Sequence, residues 1–344
     1  DSVHAANAAA KVIKVDWAAG TTADVTEQKI LDEGRRLIAD ASTGALVVNE
    51  DGVDNAFSSA DSVLEQEYVT HSVLHFQLEP VNALAFQKDG RWEIHTGNQW
   101  QSLIIPTLAK ALGEKEGNII MRTYLLGGGF GRRLNGDYCV PAALAAKQLG
   151  KPVKLMLTRE DDSRFDSIRS PSVQKLRMAF NSDGQVLGME HHATAGWPTK
   201  AMAPFFMPKG ENGEKFDPFS IHGAAHWYSL GAHRLRAISN ELASDTFRPG
   251  WLRSVGSGWV NWALESFIDE AAQKTGEDAI EFRLSRLKAE GKNAGSAPNS
   301  VGGANRQATV LKRVREISDW GKDMPADTGL GVATTYGQER NMPT

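Results

Sequence analysis

The strongest local signal in the chain is the run Tyr124-Leu125-Leu126-Gly127-Gly128-Gly129-Phe130-Gly131-Arg132-Arg133-Leu134. Four glycines within five positions allow the backbone to reach positive φ and to approach a ligand closely. We predict a strand before the run (residues 118–124) and a helix after it (residues 136–149), so the loop N–H groups can converge on an anion or an oxo group. The two arginines add charge that can pair with phosphate. The run therefore predicts an anion- or cofactor-binding loop, with a tight glycine-rich turn as the alternative.

Hydrophobic periodicity on both sides of this run predicts an α+β fold. The clearest helix covers 256–274, where Val260, Leu264 and Phe267 share one face. Residues 173–195 predict a β-hairpin, since Asp183-Gly184 is typical of a turn. Strands and helices alternate without a strict βαβ order, which favours mixed sheets with packed helices. The other predicted elements are helices at 26–40, 100–112, 278–288 and 306–319, strands at 45–48, 63–70, 81–86, 91–96 and 153–157, a strand from Val12 to Trp17, a strand-like run from Leu330 to Tyr336, a long aromatic-rich irregular segment at 196–224 and a loop from Gly291 to Gly303.

Length and charge limit the organisation and the partners of the chain. Its 344 residues favour two domains, or one large domain with an attachment, and the polar stretch 49–61 places a boundary near residue 60. With 38 basic and 42 acidic residues the net charge is −4, which argues against a general nucleic-acid binder. No apolar run reaches the roughly 18 residues that a membrane-spanning helix needs.

Cysteine and histidine usage narrows the chemistry further. The single cysteine, Cys139, excludes an internal disulfide and a cysteine-ligated iron–sulfur cluster. His71 and His75 are four residues apart, as are His222 and His226, but the first pair lies in a strand-like region where that spacing separates side chains by roughly 13 Å. No HExxH, GxSxG or Cys/His nucleophile pattern occurs. The residues alone therefore predict a cofactor-binding α+β protein with no protein-held metal and no identifiable catalytic base.

The glycine run resembles the xanthine oxidase family of molybdenum hydroxylases. Its double arginine is typical of the branch that contains the large (beta) subunit of isoquinoline 1-oxidoreductase and related aldehyde dehydrogenases. Further runs keep the family's order and spacing: Leu78-Glu79-Pro80, Lys151-Pro152-Val153-Lys154, Thr158-Arg159-Glu160-Asp161-Asp162, Trp251-Leu252-Arg253-Ser254-Val255-Gly256, and Phe267-Ile268-Asp269-Glu270-Ala271-Ala272 with Phe282-Arg283. The resemblance implies that residues 1–60 end an α/β hammerhead-like domain and that residues 61–344 form the first molybdenum-cofactor-binding domain, without the second.

The resemblance also implies a cofactor and the residues that hold it. The cofactor is molybdopterin cytosine dinucleotide, and the residues are Gln99, Gly128, Gly129, Phe130, Gly131, Arg132 and Arg253. Gln99 matches the glutamine that hydrogen-bonds an oxygen ligand of molybdenum. Phe130 and Gly131 match positions whose backbone meets the metal ligands, and Arg253 matches an arginine near the metal. Leu134 replaces a glutamate that contacts purine in xanthine-type enzymes, so a more apolar substrate is expected.

One expected element is missing from the sequence. The family's catalytic base is a glutamate in a Gly-Val-Gly-Glu segment, and the nearest run, Gly329-Leu330-Gly331-Val332-Ala333, carries no glutamate. We therefore predict no catalytic residue here. We expect an internal fragment of a longer protein that is inactive and without cofactor when alone.

The resemblance leaves the reaction and the partners partly open. The leading interpretation is hydroxylation of an N-heteroaromatic ring carbon with water as the oxygen donor, and electrons pass to a small 2Fe–2S subunit. Oxidation of an aldehyde to a carboxylic acid is the first alternative. A non-catalytic binding or scaffold module is the second. The resemblance alone favours the periplasm over the cytoplasm.

Overall fold

The computed structural model describes residues 2–288, 303–337 and 342–343. Two mixed sheets with packed helices confirm the α+β prediction. The strands are β1 (Ala45–Asn49), β2 (Ser62–Thr70), β3 (Asn82–Lys88), β4 (Arg91–Thr96), β5 (Ile119–Thr123), β6 (Val153–Met156), β7 (Ser172–Phe180), β8 (Val186–Ala195), β9 (Ala232–Ser239), β10 (Tyr336–Gly337) and β11 (Met342–Pro343). The helices are α1 (Val3–Val12), α2 (Glu27–Ala39), α3 (Val53–Ser58), α4 (Gln101–Leu112), α5 (Cys139–Leu149), α6 (Arg159–Arg164), α7 (Pro198–Met202), α8 (Glu241–Phe247), α9 (Ser257–Thr275), α10 (Ala279–Arg286) and α11 (Gly303–Ile317), with 3₁₀ turns at Glu116–Asn118 and Pro204–Phe206.

The larger sheet has five strands in the order β1-β9-β8-β7-β2. Strands β8 and β9 are parallel, and the other neighbours are antiparallel. Helices cover both faces, because alternate residues of β7 pack into different hydrophobic clusters. Val173 contacts the α2 cluster with Leu31, whereas Leu176 and Met178 lie in the cluster that holds Phe267 of α9. Burial of both faces explains why β7 is almost wholly buried.

The smaller sheet has four strands in the order β5-β4-β3-β6, with β4 and β5 parallel. Helices α4 and α5 pack against it around Ile94, Leu108 and Ala143, which are fully buried. The glycine run leaves β5 of this sheet and leads into α5. The run at 251–256 leads into α9, which packs on the larger sheet. The two layers therefore meet where these two connecting segments touch.

Most helices and strands lie within a few residues of their predicted bounds, but some predictions are wrong. Val12–Trp17 forms no strand: residues 13–20 have no strand partner in the described part of the chain, and Trp17 is exposed. The run Leu330–Tyr336 is likewise irregular until β10 begins. We predicted no strand at β9, which lies between β1 and β8. Strands β1 and β2, on either side of the predicted boundary near residue 60, belong to one sheet, and the division into domains stays a prediction. The predicted loop at 291–303 lies outside the described residues except for its last position.

None of the helices within the described ranges is both long enough and apolar enough to cross a membrane.

Candidate cofactor site

Two positions of the run must be glycine, because neighbouring atoms lie too close to leave room for a side chain. A Cβ atom on Gly129 would lie 2.5 Å from Oε1 of Gln99. A Cβ atom on Gly131, where φ is +108°, would lie 1.5 Å from the carbonyl oxygen of Trp251. Any other residue at either position would displace the loop or its neighbour. The glycines therefore let the loop pack directly against Gln99 and against the segment that precedes α9.

Gln99 has a fixed amide orientation. Its Oε1 accepts hydrogen bonds from the backbone N–H groups of Gly131 (3.1 Å) and Arg133 (3.3 Å). Backbone N–H groups can only donate, so the oxygen of the amide must face the loop and the NH₂ group must face away from it. Within the described residues this NH₂ group has no hydrogen-bond partner, and the side chain lines an open cleft. Gln99 thus presents two donors to whatever occupies the cleft.

The loop backbone supplies further donors. The N–H groups of Gly128, Gly129 and Phe130 make no hydrogen bond to any described residue. Phe130 is held at φ +51°, a conformation that costs free energy for a residue with a side chain. Consecutive unpaired N–H groups on a strained turn form a concave donor surface of the kind that binds oxygen atoms of a ligand. Such donors are what the predicted anion- or cofactor-binding loop would need in order to hold its ligand.

We expected the two arginines to pair with phosphate, but the structure pairs both of them with carboxylates of the protein. The Arg132 side chain is fully buried, with Nη1 2.6 Å from Asp137 and Nε 3.1 Å from Asp166. Arg133 is also fully buried, and its Nη2 lies 2.8 Å from a carboxylate oxygen of Glu79, while its Nε donates to the carbonyl of Gly128. Carboxylates neutralise both charges inside the protein. The two side chains therefore hold the loop on the side away from the cleft and do not reach into the cleft.

Arg253 lies on the opposite side of the cleft. Its backbone N–H donates to the carbonyl of Phe130 (2.8 Å), which joins the two segments directly. Its carbonyl accepts from Nη2 of Arg169 (2.6 Å), a residue that the sequence did not single out. Its own side chain is exposed and makes no ion pair within the described residues. The next two residues, Ser254 and Val255, have φ of +72° and +42°, so the turn before α9 is strained as well.

Gln99, the glycine loop and the turn before α9 form one cleft of about 370 Å³. The cleft is lined by Gln99, Phe130, Gly131, Leu134, Trp251, Leu252, Arg253 and Val255. The structure thus brings together four of the predicted site residues, places Gly128 and Gly129 beside them, and leaves the Arg132 side chain outside. The wall is mostly apolar, and no carboxylate among the described residues lines it. Such a lining suits a ligand with few polar groups that are held by a few directed donors.

An aromatic cluster extends from the cleft to the surface. Trp100 stacks on Trp251 with ring centroids 6.1 Å apart and lies 5.9 Å from Phe206. Phe219 packs against both Phe206 and Trp251. Phe206 remains 41% exposed. The aromatic-rich segment 196–224 was the only sequence signal for this cluster, because its partners lie far away in the chain.

In the part of the chain that the structure describes, no three His, Cys, Asp or Glu residues are arranged to hold a metal ion. His71 pairs with Glu27 at the surface, whereas His75 is buried against Asp166. Burial raises the pKa of Cys139 to about 12, so its thiol stays protonated.

A family model described as "Molybdopterin cofactor-binding domain" matches residues 38–287. The membrane-bound aldehyde dehydrogenase [pyrroloquinoline-quinone] of Gluconacetobacter polyoxogenes is 57% identical over all of this chain and 45% of its own length. The isoquinoline 1-oxidoreductase subunit beta of Brevundimonas diminuta is 29% identical over 82% of this chain and 34% of its own length. The chain thus spans less than half of either relative.

Solved structures support the fold. The aldehyde oxidoreductase from Desulfovibrio gigas superposes with a TM-score of 0.69 at 22% identity, over 93% of this chain and 34% of that one. The carbon monoxide dehydrogenase from Oligotropha carboxidovorans gives a TM-score of 0.68 at 19% identity, over 92% of this chain and 41% of that one. The two enzymes share this architecture.

Proposed function

Because the chain belongs to the molybdopterin cofactor-binding domain family, among the molybdenum-binding subunits of the xanthine oxidase family, we propose that it is the part of an aldehyde-oxidising enzyme that holds the molybdenum end of the cofactor. The reaction would convert an aldehyde and water to a carboxylic acid, two electrons and two protons. The 57% identical relative carries the name aldehyde dehydrogenase, whereas the isoquinoline enzyme is 29% identical. Aldehyde oxidation, our first alternative from the sequence, is therefore the reaction we favour over hydroxylation of an N-heterocycle.

The observation that carries this proposal is the locked amide of Gln99. Its two free N–H donors face the same cleft as the unpaired backbone N–H groups of the glycine loop. A group that presents oxygen atoms on two sides fits this donor set, and a molybdenum centre with oxygen ligands is such a group. When bound, the cofactor would supply the oxygen transfer and take up the electrons. The protein's part is to orient the group through these donors and to contact the apolar part of the substrate with the cleft wall.

We propose that the cofactor is the cytosine dinucleotide form, as the resemblance implies. Gln99, Gly128, Gly129, Phe130 and Gly131 would meet its metal end through hydrogen-bond donors, and Arg253 would approach from the other wall. The Arg132 side chain would contribute only through the loop that it supports.

The electrons require an acceptor outside this chain. The only cysteine is buried and stays protonated, so it cannot ligate iron as a thiolate. We therefore propose that an iron–sulfur subunit or domain receives the electrons, as the resemblance implies.

The test is cofactor analysis of the full-length protein that contains this chain, co-expressed with any neighbouring iron–sulfur subunit. We expect about one molybdenum per chain, release of CMP on acid hydrolysis, and faster turnover of aldehydes than of N-heterocycles. Pyrroloquinoline quinone without molybdenum would contradict the proposal and agree with the name of the relative from Gluconacetobacter polyoxogenes. Absence of both, in a host that loads a control enzyme, would favour the non-catalytic scaffold. Faster turnover of isoquinoline or a related ring would restore the heteroaromatic alternative.

We also propose that residues 1–344 have no activity by themselves. No carboxylate lines the cleft in the described part of the chain, so no group stands ready to act as the general base. Aldehyde turnover by residues 1–344, loaded with molybdenum cofactor and supplied with an artificial electron acceptor, would overturn this.

A further inference from the structure

His75 lies directly behind the junction of the two segments that form the cleft. Its side chain is fully buried. Its backbone N–H donates to Oδ2 of Asp166 (2.7 Å), and its ring Nδ1 lies 2.9 Å from Oδ1 of the same carboxylate. The other ring nitrogen, Nε2, lies 2.9 Å from the carbonyl oxygen of Trp251. Both ring nitrogens are therefore within hydrogen-bond distance of an oxygen atom.

The chemistry of these partners fixes the protons on the ring. A carboxylate and a backbone carbonyl can only accept hydrogen bonds, so each ring nitrogen must carry a hydrogen. A neutral imidazole has one N–H group, and it would turn the lone pair of its second nitrogen toward a buried oxygen. Only the imidazolium form satisfies both contacts.

The charges around the ring agree with this form. Burial raises the pKa of Asp166, but the hydrogen bonds and charge of His75, together with Arg132, outweigh burial and hold that pKa below its usual value. Arg132 also pairs with Asp137, which lies 3.7 Å from the guanidinium of Arg248. Asp166 is thus an anion between two cations, with a second carboxylate beyond Arg132.

The Trp251 carbonyl connects this network to the cleft. It occupies the space that a Cβ atom on Gly131 would fill. Two residues further on, the N–H group of Arg253 donates to the carbonyl of Phe130. The position of the Trp251 carbonyl therefore sets how the glycine loop and the turn before α9 face each other.

We propose that His75 is a positioning residue of the cofactor cleft: it is an imidazolium whose second proton holds the Trp251 carbonyl against Gly131. Its effect on a bound cofactor rests on the proposed function, whereas its protonation does not. The residue touches no ligand itself and acts through the two backbone segments.

The test uses the full-length protein with ¹⁵N-labelled histidine rings, and it compares wild type with His75→Gln, Asp166→Asn and the control His71→Gln. His71 contacts Glu27 at the surface, so its replacement removes a histidine–carboxylate contact that does not involve Asp166 or Trp251. At pH 7 we expect a ring with two N–H couplings that disappears in His75→Gln. Asp166→Asn is expected to leave that ring with one N–H group, because the anion that requires the second proton is gone. In His75→Gln a single NH₂ group replaces two ring N–H groups that point at different oxygens, so we expect this variant to retain the cofactor roughly tenfold less well than His71→Gln.

A singly protonated His75 ring in the wild type would overturn the inference. Molybdenum retention in a folded His75→Gln protein equal to that of His71→Gln would also overturn it. If the wild type holds no molybdenum, the proposed function fails, and the ring couplings still decide the protonation of His75. If His75→Gln does not fold, the ring signal in Asp166→Asn decides: two retained N–H groups contradict the inference, and one supports it.

Discussion

The carbonyl oxygen of Trp251 stands 1.5 Å from where a Cβ atom of Gly131 would be. This contact joins a loop of the smaller sheet to the turn that begins α9 on the larger sheet, and Arg253 adds a backbone hydrogen bond to Phe130 beside it. The cleft therefore exists because two distant backbone segments pack without a side chain between them. Sequence spacing alone does not reveal that crossing, although it does show that glycine is concentrated there.

Replacing Gly131 with alanine is expected to separate these segments. The methyl group collides with backbone, which cannot move aside as a flexible side chain can, and φ +108° is unfavourable for alanine. We expect a loss of at least about 3 kcal/mol in unfolding free energy and of most of the bound cofactor, measured by denaturant unfolding and by metal analysis. The control is Gly276→Ala at the end of α9, where φ is +72° and the space is open, so only the strain of about 1 kcal/mol applies. Equal losses for the two variants would show that the crossing is unimportant.

Changing Gln99 to glutamate isolates the donor role of its amide. One carboxylate oxygen can still accept from the N–H groups of Gly131 and Arg133, so the loop is expected to stay in place. The cleft then faces an acceptor where it had a donor, and we expect turnover to fall about 100-fold. The measurement is kcat for an aldehyde at matched molybdenum content. Gln101→Glu is the control, because that side chain bonds to Asn98 and Thr123 away from the cleft. Unchanged kcat in Gln99→Glu would remove Gln99 from the site.

The two arginines that the resemblance assigned to the site are expected to respond in opposite ways. Arg253→Gln removes an exposed charge without a partner in the described residues, so stability is expected to stay within about 0.5 kcal/mol while kcat/KM falls roughly tenfold. Arg132→Gln removes a buried guanidinium and leaves Asp166 without that partner, which is expected to cost about 3–5 kcal/mol. Thermal unfolding and steady-state kinetics of both variants distinguish the two roles. A destabilised Arg253→Gln protein would contradict this division.

How much of the structure could be predicted from the sequence depends on how far apart in the chain the interacting residues lie. Helix α9 was predictable because its apolar residues repeat locally, and Gln99 and Arg253 were predictable by resemblance. The burial of Arg132 was not predictable, because its partner Asp166 is far away in the chain. Strand β9 was not predicted for a similar reason. Its charged residues Arg234 and Arg236 are typical of a solvent-exposed segment, yet in the structure they donate hydrogen bonds to residues of neighbouring segments. Local patterns report secondary structure, whereas the neutralisation of buried charge is a property of the folded chain.

Three buried histidines, two in the larger sheet and one in the segment before β9, predict a loss of stability in acid. His191, His226 and His233 lie close together in the core, and the rings of the last two are 4.7 Å apart. Burial, followed by the neighbouring rings, lowers the pKa of His191 to about 3, and burial with the His192 charge lowers that of His233 to about 4. The same causes hold the pKa of His226 well below its ordinary 6.5. The unfolded chain therefore binds more protons than the folded one once the pH falls below about 6.5. The free energy of unfolding is therefore unaffected by these histidines above about pH 6.5, and it falls as the pH is lowered below that value.

At pH 5 each of these histidines is expected to cost about 2 kcal/mol relative to neutral pH. The measurement is the free energy of unfolding by urea between pH 7.5 and 4.5. His191→Gln is expected to reduce the slope against pH by about one proton, because the unfolded variant has one fewer histidine to protonate. The control is His4→Gln in the exposed helix α1, which removes a histidine without touching the core. A slope that is the same in wild type and His191→Gln would mean that His191 is already protonated in the folded state, against the burial that the structure shows.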